Sequence, residues 1–298
     1  MKRFIYSGCS FTEWGFPTWA DIIAYDKINR GEIDFAYNMA LMGACNYYIM
    51  SSLLMAKLAL NITSNDLIGI GWSSFWRHSL IDPIAHHWIT KGGVYNHPVW
   101  DNFGLDHIDA VNNDIYLLQR SATAYNTVHE LFDVDFELRL PLHCDTANVE
   151  DALNLLTSDY DYQDIGNPDY TLLSYIKSNI NNFLKVPEIE YISDRGPAVW
   201  DWDGHPSLQE HVAIAQTQSD LLDSTVEVFC GAHNNMLEII ESCVLQNKNK
   251  NDIRESLINQ KFIGDPRRSS NYGDPDVWSK IIYFGADRFE MSLFSDGA

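Results

Sequence analysis

The chain has 298 residues, of which 46% are apolar and 20% charged, so it is long enough to bury a large core and is neither fibrous nor disordered. Its 20 basic and 41 acidic residues give a formal net charge of −21, which repels phosphate backbones and anionic lipid surfaces. We therefore expect no nucleic-acid partner and, because no apolar run reaches the about 18 residues of a membrane span, no membrane partner.

Predicted strands and helices alternate in the first quarter of the chain. Short apolar runs predict strands at residues 3 to 6, 34 to 39 and 66 to 71. Apolar residues at helical spacing predict helices at residues 19 to 27 and 46 to 60. This alternation is typical of a doubly wound, mostly parallel sheet with helices on both faces, which binds ligands at the carboxyl ends of its strands.

The pattern is interrupted at residues 72 to 113, a stretch rich in Trp, His, Gly and Asn that is too long for an ordinary connection and predicts a functional loop or subdomain. The alternation then resumes. Helices are predicted at residues 114 to 132, 148 to 157, 170 to 184 and 207 to 222, and strands at residues 135 to 142 and 188 to 192. We expect Ser207 to cap the last of these helices.

Two parts of the chain follow from this pattern. Residues 1 to 224 form one α/β domain that carries the long loop at about 72 to 113. Residues 225 to 298 are predicted to be a C-terminal extension, helical at residues 234 to 246 and irregular beyond. The sequence leaves open whether the extension packs on the domain or mediates assembly.

A serine and a histidine are expected to meet at the carboxyl edge of the sheet. Ser10 lies in a turn of small residues directly after the first strand, so its hydroxyl is presented at that edge. A serine hydroxyl is a weak nucleophile and needs a base, usually histidine. His205 follows the last predicted strand and precedes a helix, which brings it to the same edge. Gly43 can offer a backbone N–H to an oxyanion without a side chain in the way.

Four segments carry a resemblance to a known family. They are Gly8-Cys9-Ser10, residues 38 to 43, Gly71-Trp72-Ser73 and Asp203-Gly204-His205-Pro206. In this order they resemble the sequence blocks of the SGNH (GDSL-type) hydrolase superfamily. The resemblance covers residues 1 to about 222. It is greatest to the acidic variants without a signal peptide that tailed phages encode.

The resemblance implies a flavodoxin-like, three-layer α/β/α fold and an esterase or lipase-like activity that needs no metal or organic cofactor. It assigns Ser10 as the nucleophile and His205 as the general base. The N–H groups of Ser10 and Gly43 become oxyanion donors. The third donor, an Asn in the family, is replaced by Ser73 or its role passes to Asn46.

The chain departs from the family at two further positions. Cys9 stands where the family has a noncatalytic Asp. The acid that orients the histidine normally lies three residues before it, where this chain has Trp202. Asp203 and Asp201 flank that position, and we expect Asp203 or, failing that, Asp201 to hold the imidazole.

The long loop supplies further candidate residues. Trp72 and Trp76 are predicted to contact substrate, although aromatic residues pack cores and lids as often as they stack on sugar rings. Arg77 binds either a substrate carboxylate or an internal acid. The residues that could suggest a metal site there are His78, His86, His87, His97, Asp82 and Asp101. Their spacing matches no metal motif, so we interpret them as solvated or hydrogen-bonded side chains.

The sequence therefore predicts a serine esterase that acts on a small-molecule or carbohydrate carboxylic ester, for example an O-acetyl group. The alternative is a protein that keeps the SGNH fold for binding or assembly with little catalysis. Five cysteines without Cys-x-x-Cys spacing and a short N-terminal apolar stretch favour the cytoplasm, or a host cytoplasm or virion for a phage protein. Self-association into a homo-oligomer is left open.

Overall fold

A computed structural model describes residues 1–75, 77–81, 88–93, 114–140, 180–189, 205–263 and 270–284. Within these ranges its centre is a parallel sheet of five strands, which are β1 (Arg3–Gly8), β2 (Phe35–Asn38), β3 (Leu67–Trp72), β6 (Phe136–Arg139) and β7 (Ile281–Tyr283). Their order across the sheet is β6-β3-β1-β2-β7. The predicted α/β class and parallel sheet are confirmed.

The strand order explains the resemblance to flavodoxin-like folds. The strands β2, β1, β3 and β6 lie side by side in that order, and Glu188 continues the series through a parallel bridge to Arg139. This arrangement matches the flavodoxin-like order, whose ligand site lies where the strand order reverses beside the first strand. The loop after β1, which carries Ser10, is at that position.

The helices cover the sheet and follow the predicted pattern closely in the first half of the chain. They are α1 (Trp19–Asn29), α2 (Asn46–Leu60), α3 (Asp114–Leu131), α4 (Leu208–Gln218), α5 (Asp223–Leu245), α6 (Lys250–Asn259) and the short α7 (Pro275–Trp278). The predicted helix at 207 to 222 is too long, because Ser219 adopts an extended conformation that ends α4. The predicted helices at 148 to 157 and, for the most part, at 170 to 184 lie outside the described residues.

A hairpin begins the long loop that the sequence predicts at 72 to 113. Strands β4 (Arg77–Ile81) and β5 (Trp88–Gly93) pair antiparallel in a separate two-stranded sheet. Ser79 joins this hairpin to the main domain, since its hydroxyl accepts a hydrogen bond of 3.1 Å from the N–H of Cys45. The hairpin therefore lies beside the amino end of α2.

The segment after residue 224 is built into the same sheet. Strand β7 pairs with β2, and Phe284 N–H donates to the carbonyl of Asn38 at 2.8 Å. Helix α5 is held by Asp26 of α1, which accepts hydrogen bonds from Leu222 N–H at 2.9 Å and the Thr225 hydroxyl at 2.8 Å. The predicted extension thus contains a strand as well as helices and packs on the domain.

Along the described ranges, no helix has the length and apolar character that crossing a bilayer requires.

Candidate active site

Ser10 lies in a single turn that closes directly after β1. The N–H groups of Thr12 and Glu13 both donate to the carbonyl of Cys9, at 2.8 and 3.0 Å. This turn folds back over the carboxyl edge of the sheet and leaves Ser10 only 4% exposed. The nucleophile candidate is therefore held by backbone hydrogen bonds on a buried turn.

Two glycines make room for this turn. Gly8 of β1 and Gly71 of β3 face each other in the parallel register, and the Thr12 side chain lies over both. A β-carbon on either glycine would come within 2.2 Å of Thr12 Oγ1, far inside van der Waals contact. The strand ends must therefore lack side chains here for the Ser10 turn to close.

The structure brings Ser10 and His205 together. His205 Nε2 lies 2.7 Å from Ser10 Oγ, although the residues are 195 positions apart in the chain. With Nε2 unprotonated, the serine hydroxyl donates to it, which is the arrangement that a general base requires. The predicted Ser-His pair thus has hydrogen-bond geometry.

Two aromatic rings pack against the imidazole of His205. The Trp14 ring stacks on it with the centroids 3.8 Å apart and the planes at 16°, and Phe11 approaches at 5.1 Å. Both residues belong to the segment that follows Ser10. Trp14 is not among the residues predicted from the sequence, where its only signal is its position four residues after the candidate nucleophile.

The start of α4 fixes the backbone beside His205. Ser207 caps this helix as predicted, accepting a hydrogen bond from Glu210 N–H at 3.3 Å, while the Glu210 carboxylate accepts from Ser207 N–H at 2.7 Å. This reciprocal capping box stabilises the helix start. Asp203 and Asp201, the acids expected to orient His205, lie outside the described residues.

Gly43 lies in a tight turn formed by residues 41–44, which follows β2. The Ala44 N–H donates to the Leu41 carbonyl at 3.0 Å, and Gly43 has a φ of +76°, the conformation that a type II turn needs at this position. Leu41 N–H donates to the Gly8 carbonyl at 3.1 Å and ties the turn to the end of β1. The Met42 N–H donates to Glu13 Oε2 at 3.1 Å.

The N–H groups of this turn differ in their hydrogen bonding. Of residues 41–44, only Gly43 has an N–H that donates to nothing in the part of the chain that the structure describes. The same holds for the N–H of Ser10 within those ranges. These are the two backbone groups that the sequence predicts as oxyanion donors.

Asn46 and Ser73 have different roles in the structure. Asn46 Oδ1 accepts from Ser73 N–H at 2.8 Å, and Asn46 Nδ2 donates to Ser121 Oγ at 3.1 Å. The amide therefore holds the Ser73 backbone in place, which does not fit a direct role as third oxyanion donor. Ser73 Oγ is buried without a hydrogen-bond partner along the described ranges, and its role as third donor stays a prediction.

Two acids lie beside the Ser10 turn, Asp21 fully buried and Glu13 half-buried. Burial raises the pKa of Glu13 to about 7, an effect to which the nearby Asp21 carboxylate adds. Burial also raises the pKa of Asp21. Hydrogen bonds to its carboxylate lower that pKa in part, and the strongest of them comes from the Tyr6 hydroxyl at 2.6 Å. Asn38 Nδ2 donates to Asp21 at 3.1 Å and to the Thr12 carbonyl at 3.3 Å, which links Asp21 to the Ser10 turn.

The structure describes two of the three residues predicted to contact substrate, Trp72 and Arg77. Trp72 is fully buried, and its indole N–H donates to Glu137 at 2.6 Å, so its burial contradicts the predicted contact with substrate. The reason is that Trp72 is the last residue of β3 and points into the core against Phe183. Arg77 is partly buried, with a guanidinium nitrogen that has no hydrogen-bond partner in the described chain. Trp76 lies outside the described residues.

No group of three or more His, Cys, Asp or Glu side chains with metal-binding proximity occurs within the described ranges. The histidines and aspartates of the long loop, from His78 to Asp101, have side chains outside those ranges and stay untested.

Comparison of the chain with models of protein families, with curated proteins and with solved structures finds no match.

Proposed function

We propose that the chain is a serine hydrolase of carboxylic esters, with Ser10 as the nucleophile and His205 as the general base. The observation that carries this proposal is the hydrogen bond of 2.7 Å between Ser10 Oγ and His205 Nε2 at the carboxyl edge of the sheet. The N–H groups of Ser10 and Gly43, which have no partner among the described residues, support it, since an acyl-transfer site needs donors for an oxyanion.

The reaction proceeds in two steps in this proposal. Ser10 Oγ attacks the ester carbonyl carbon while its proton passes to His205 Nε2, and the negative charge on the carbonyl oxygen is met by the N–H groups of Ser10 and Gly43. The imidazolium returns the proton to the leaving alcohol as the acyl–Ser10 ester forms. A water molecule then attacks that ester, with His205 taking and returning the proton, and releases the acid.

The site gives some indication of the substrate. Trp14 and Phe11 surround the imidazole with apolar surface, and the net charge of −21 opposes anionic substrates at a distance. We propose a neutral ester, an O-acetylated carbohydrate being the first to test. The SGNH relationship, the phage affiliation and the cytoplasmic location stay predictions.

A fluorophosphonate probe tests the proposal directly, because it reacts with an activated serine. We expect stoichiometric labelling of the wild-type chain and of the control Ser51→Ala, whose serine is on the exposed side of α2, and none of Ser10→Ala. His205→Ala should lower ester turnover by at least about a thousandfold. Absence of labelling in folded wild-type protein would exclude the hydrolase and favour the alternative, a binding or assembly protein with this fold.

A further inference from the structure

Glu13 joins the two turns that carry the proposed oxyanion donors. Its N–H closes the Ser10 turn on the Cys9 carbonyl at 3.0 Å, and its Oε2 accepts the Met42 N–H at 3.1 Å. One residue of the nucleophile turn thus binds the neighbouring turn through its side chain. In the described chain this is the only side chain that binds an N–H of residues 41–44.

The position of Gly43 N–H depends on what holds Met42. The Gly43 N–H belongs to the peptide unit that begins at Met42, and Gly43 itself has the conformational freedom of a glycine at a φ of +76°. The other anchors act at the two ends of the turn, at Leu41 and Ala44. The hydrogen bond from Met42 N–H to Glu13 restrains the middle of the turn.

We propose that Glu13 is a positioning residue that holds the 41–44 turn against the Ser10 turn and thereby directs the Gly43 N–H toward the oxyanion. Its catalytic consequence rests on the function proposed above. In this proposal Glu13 acts through its hydrogen-bond acceptor oxygen and not through its negative charge. A carbonyl oxygen accepts a backbone N–H as a carboxylate does, so a neutral side chain with a carbonyl group can replace it. The Glu13 side chain is half-buried, and this partial burial raises its pKa.

The test compares Glu13→Ala with Glu13→Gln, which keeps a carbonyl acceptor. We expect Glu13→Ala to lower kcat by about tenfold to about a hundredfold and to change KM by less than about threefold. The upper value for kcat corresponds to the loss of an oxyanion donor. Glu13→Gln should restore kcat to within about threefold of wild type. Glu32→Ala removes the same charge at the opposite, amino edge of the sheet and should change neither constant.

Amide-resolved hydrogen exchange gives a second readout that does not depend on turnover. The Leu41 and Ala44 amides should exchange faster in Glu13→Ala than in wild type, and at the wild-type rate in Glu13→Gln. Circular dichroism verifies that each variant is folded. If Glu13→Ala fails to fold, Glu13→Asp replaces it, because its shorter side chain withdraws the acceptor and should likewise speed exchange at Leu41 and Ala44 relative to Glu13→Gln.

Two results would overturn the proposal. In one, exchange at Leu41 and Ala44 is the same in Glu13→Ala and wild type; in the other, Glu13→Gln is as impaired as Glu13→Ala. If the wild type neither hydrolyses esters nor reacts with a fluorophosphonate, the proposed function fails, while the exchange rates still show whether Glu13 holds the turn.

Discussion

At the residue scale, Glu13 makes the stability of the protein depend on pH. Burial raises its pKa to about 7 from an ordinary value of 4.5, so the folded chain binds this proton more tightly than the unfolded chain. The resulting stabilisation is present in full below about pH 4.5 and is lost as the pH rises through about 7. Its size is at most about 3 kcal/mol.

Glu13→Gln cannot ionise and should remove this loss. Between about pH 5 and about pH 8, its free energy of unfolding should fall less than that of the wild type, as measured by urea denaturation at each pH. Glu32→Gln is the control, because Lys27 lowers the pKa of Glu32 and its ionisation lies at lower pH. Parallel curves for Glu13→Gln and wild type across this range would contradict the prediction.

At the scale of elements, the contact of Thr12 with two strand ends determines whether the Ser10 turn closes. Gly71→Ala should lower the free energy of unfolding by about 1 to 3 kcal/mol, because the new β-carbon meets Thr12 Oγ1 at 2.2 Å. Thr12→Ala removes that oxygen, and the Thr12 β-carbon lies 3.5 Å away, so the double variant should recover most of this loss.

Gly8→Ala provides the matched comparison. Its new β-carbon would also lie 2.5 Å from the Thr12 β-carbon, which Thr12→Ala keeps, so the second double variant should recover little. Chemical denaturation of the two double-mutant cycles measures both couplings. Equal recovery at the two glycines would contradict the predicted clash between the Thr12 β-carbon and a side chain at Gly8.

At the scale of the whole molecule, the last strand completes the core of the first domain. Trp278 is fully buried, and Tyr283 donates to Asp21 at 3.1 Å across 262 positions of the chain. A chain that ends at residue 224, the predicted boundary, exposes the β2 edge and lacks both Trp278 and Tyr283. We expect it to lose the cooperative thermal transition of the full chain, as measured by calorimetry.

Point variants separate this effect from truncation itself. Trp278→Ala should cost about 3 to 5 kcal/mol, since it opens a cavity in the core. Leu245→Ala, at the 84% exposed end of α5, should change stability by no more than about 0.5 kcal/mol. A truncated chain that unfolds cooperatively at the wild-type midpoint would show that residues 225–298 are an independent unit.

The sequence alone determined the parallel α/β pattern, the bounds of α2 and the proximity of Ser10 to His205. Hydrophobic periodicity encodes which faces are buried, and parallel strands bring their carboxyl ends to one edge, so chain order was enough to predict these features. The catalytic roles of the two residues stay predictions.

The construction of that edge depends on tertiary contacts. The structure shows that Thr12 fills the space over two glycines, that Glu13 binds the 41–44 turn, that Trp72 belongs to the core and that β7 extends the sheet beyond β2. Each depends on contacts between residues that are distant in the chain, and neither propensity nor spacing specifies which distant partner a side chain meets. The physical reason is that such contacts form only when several elements pack together.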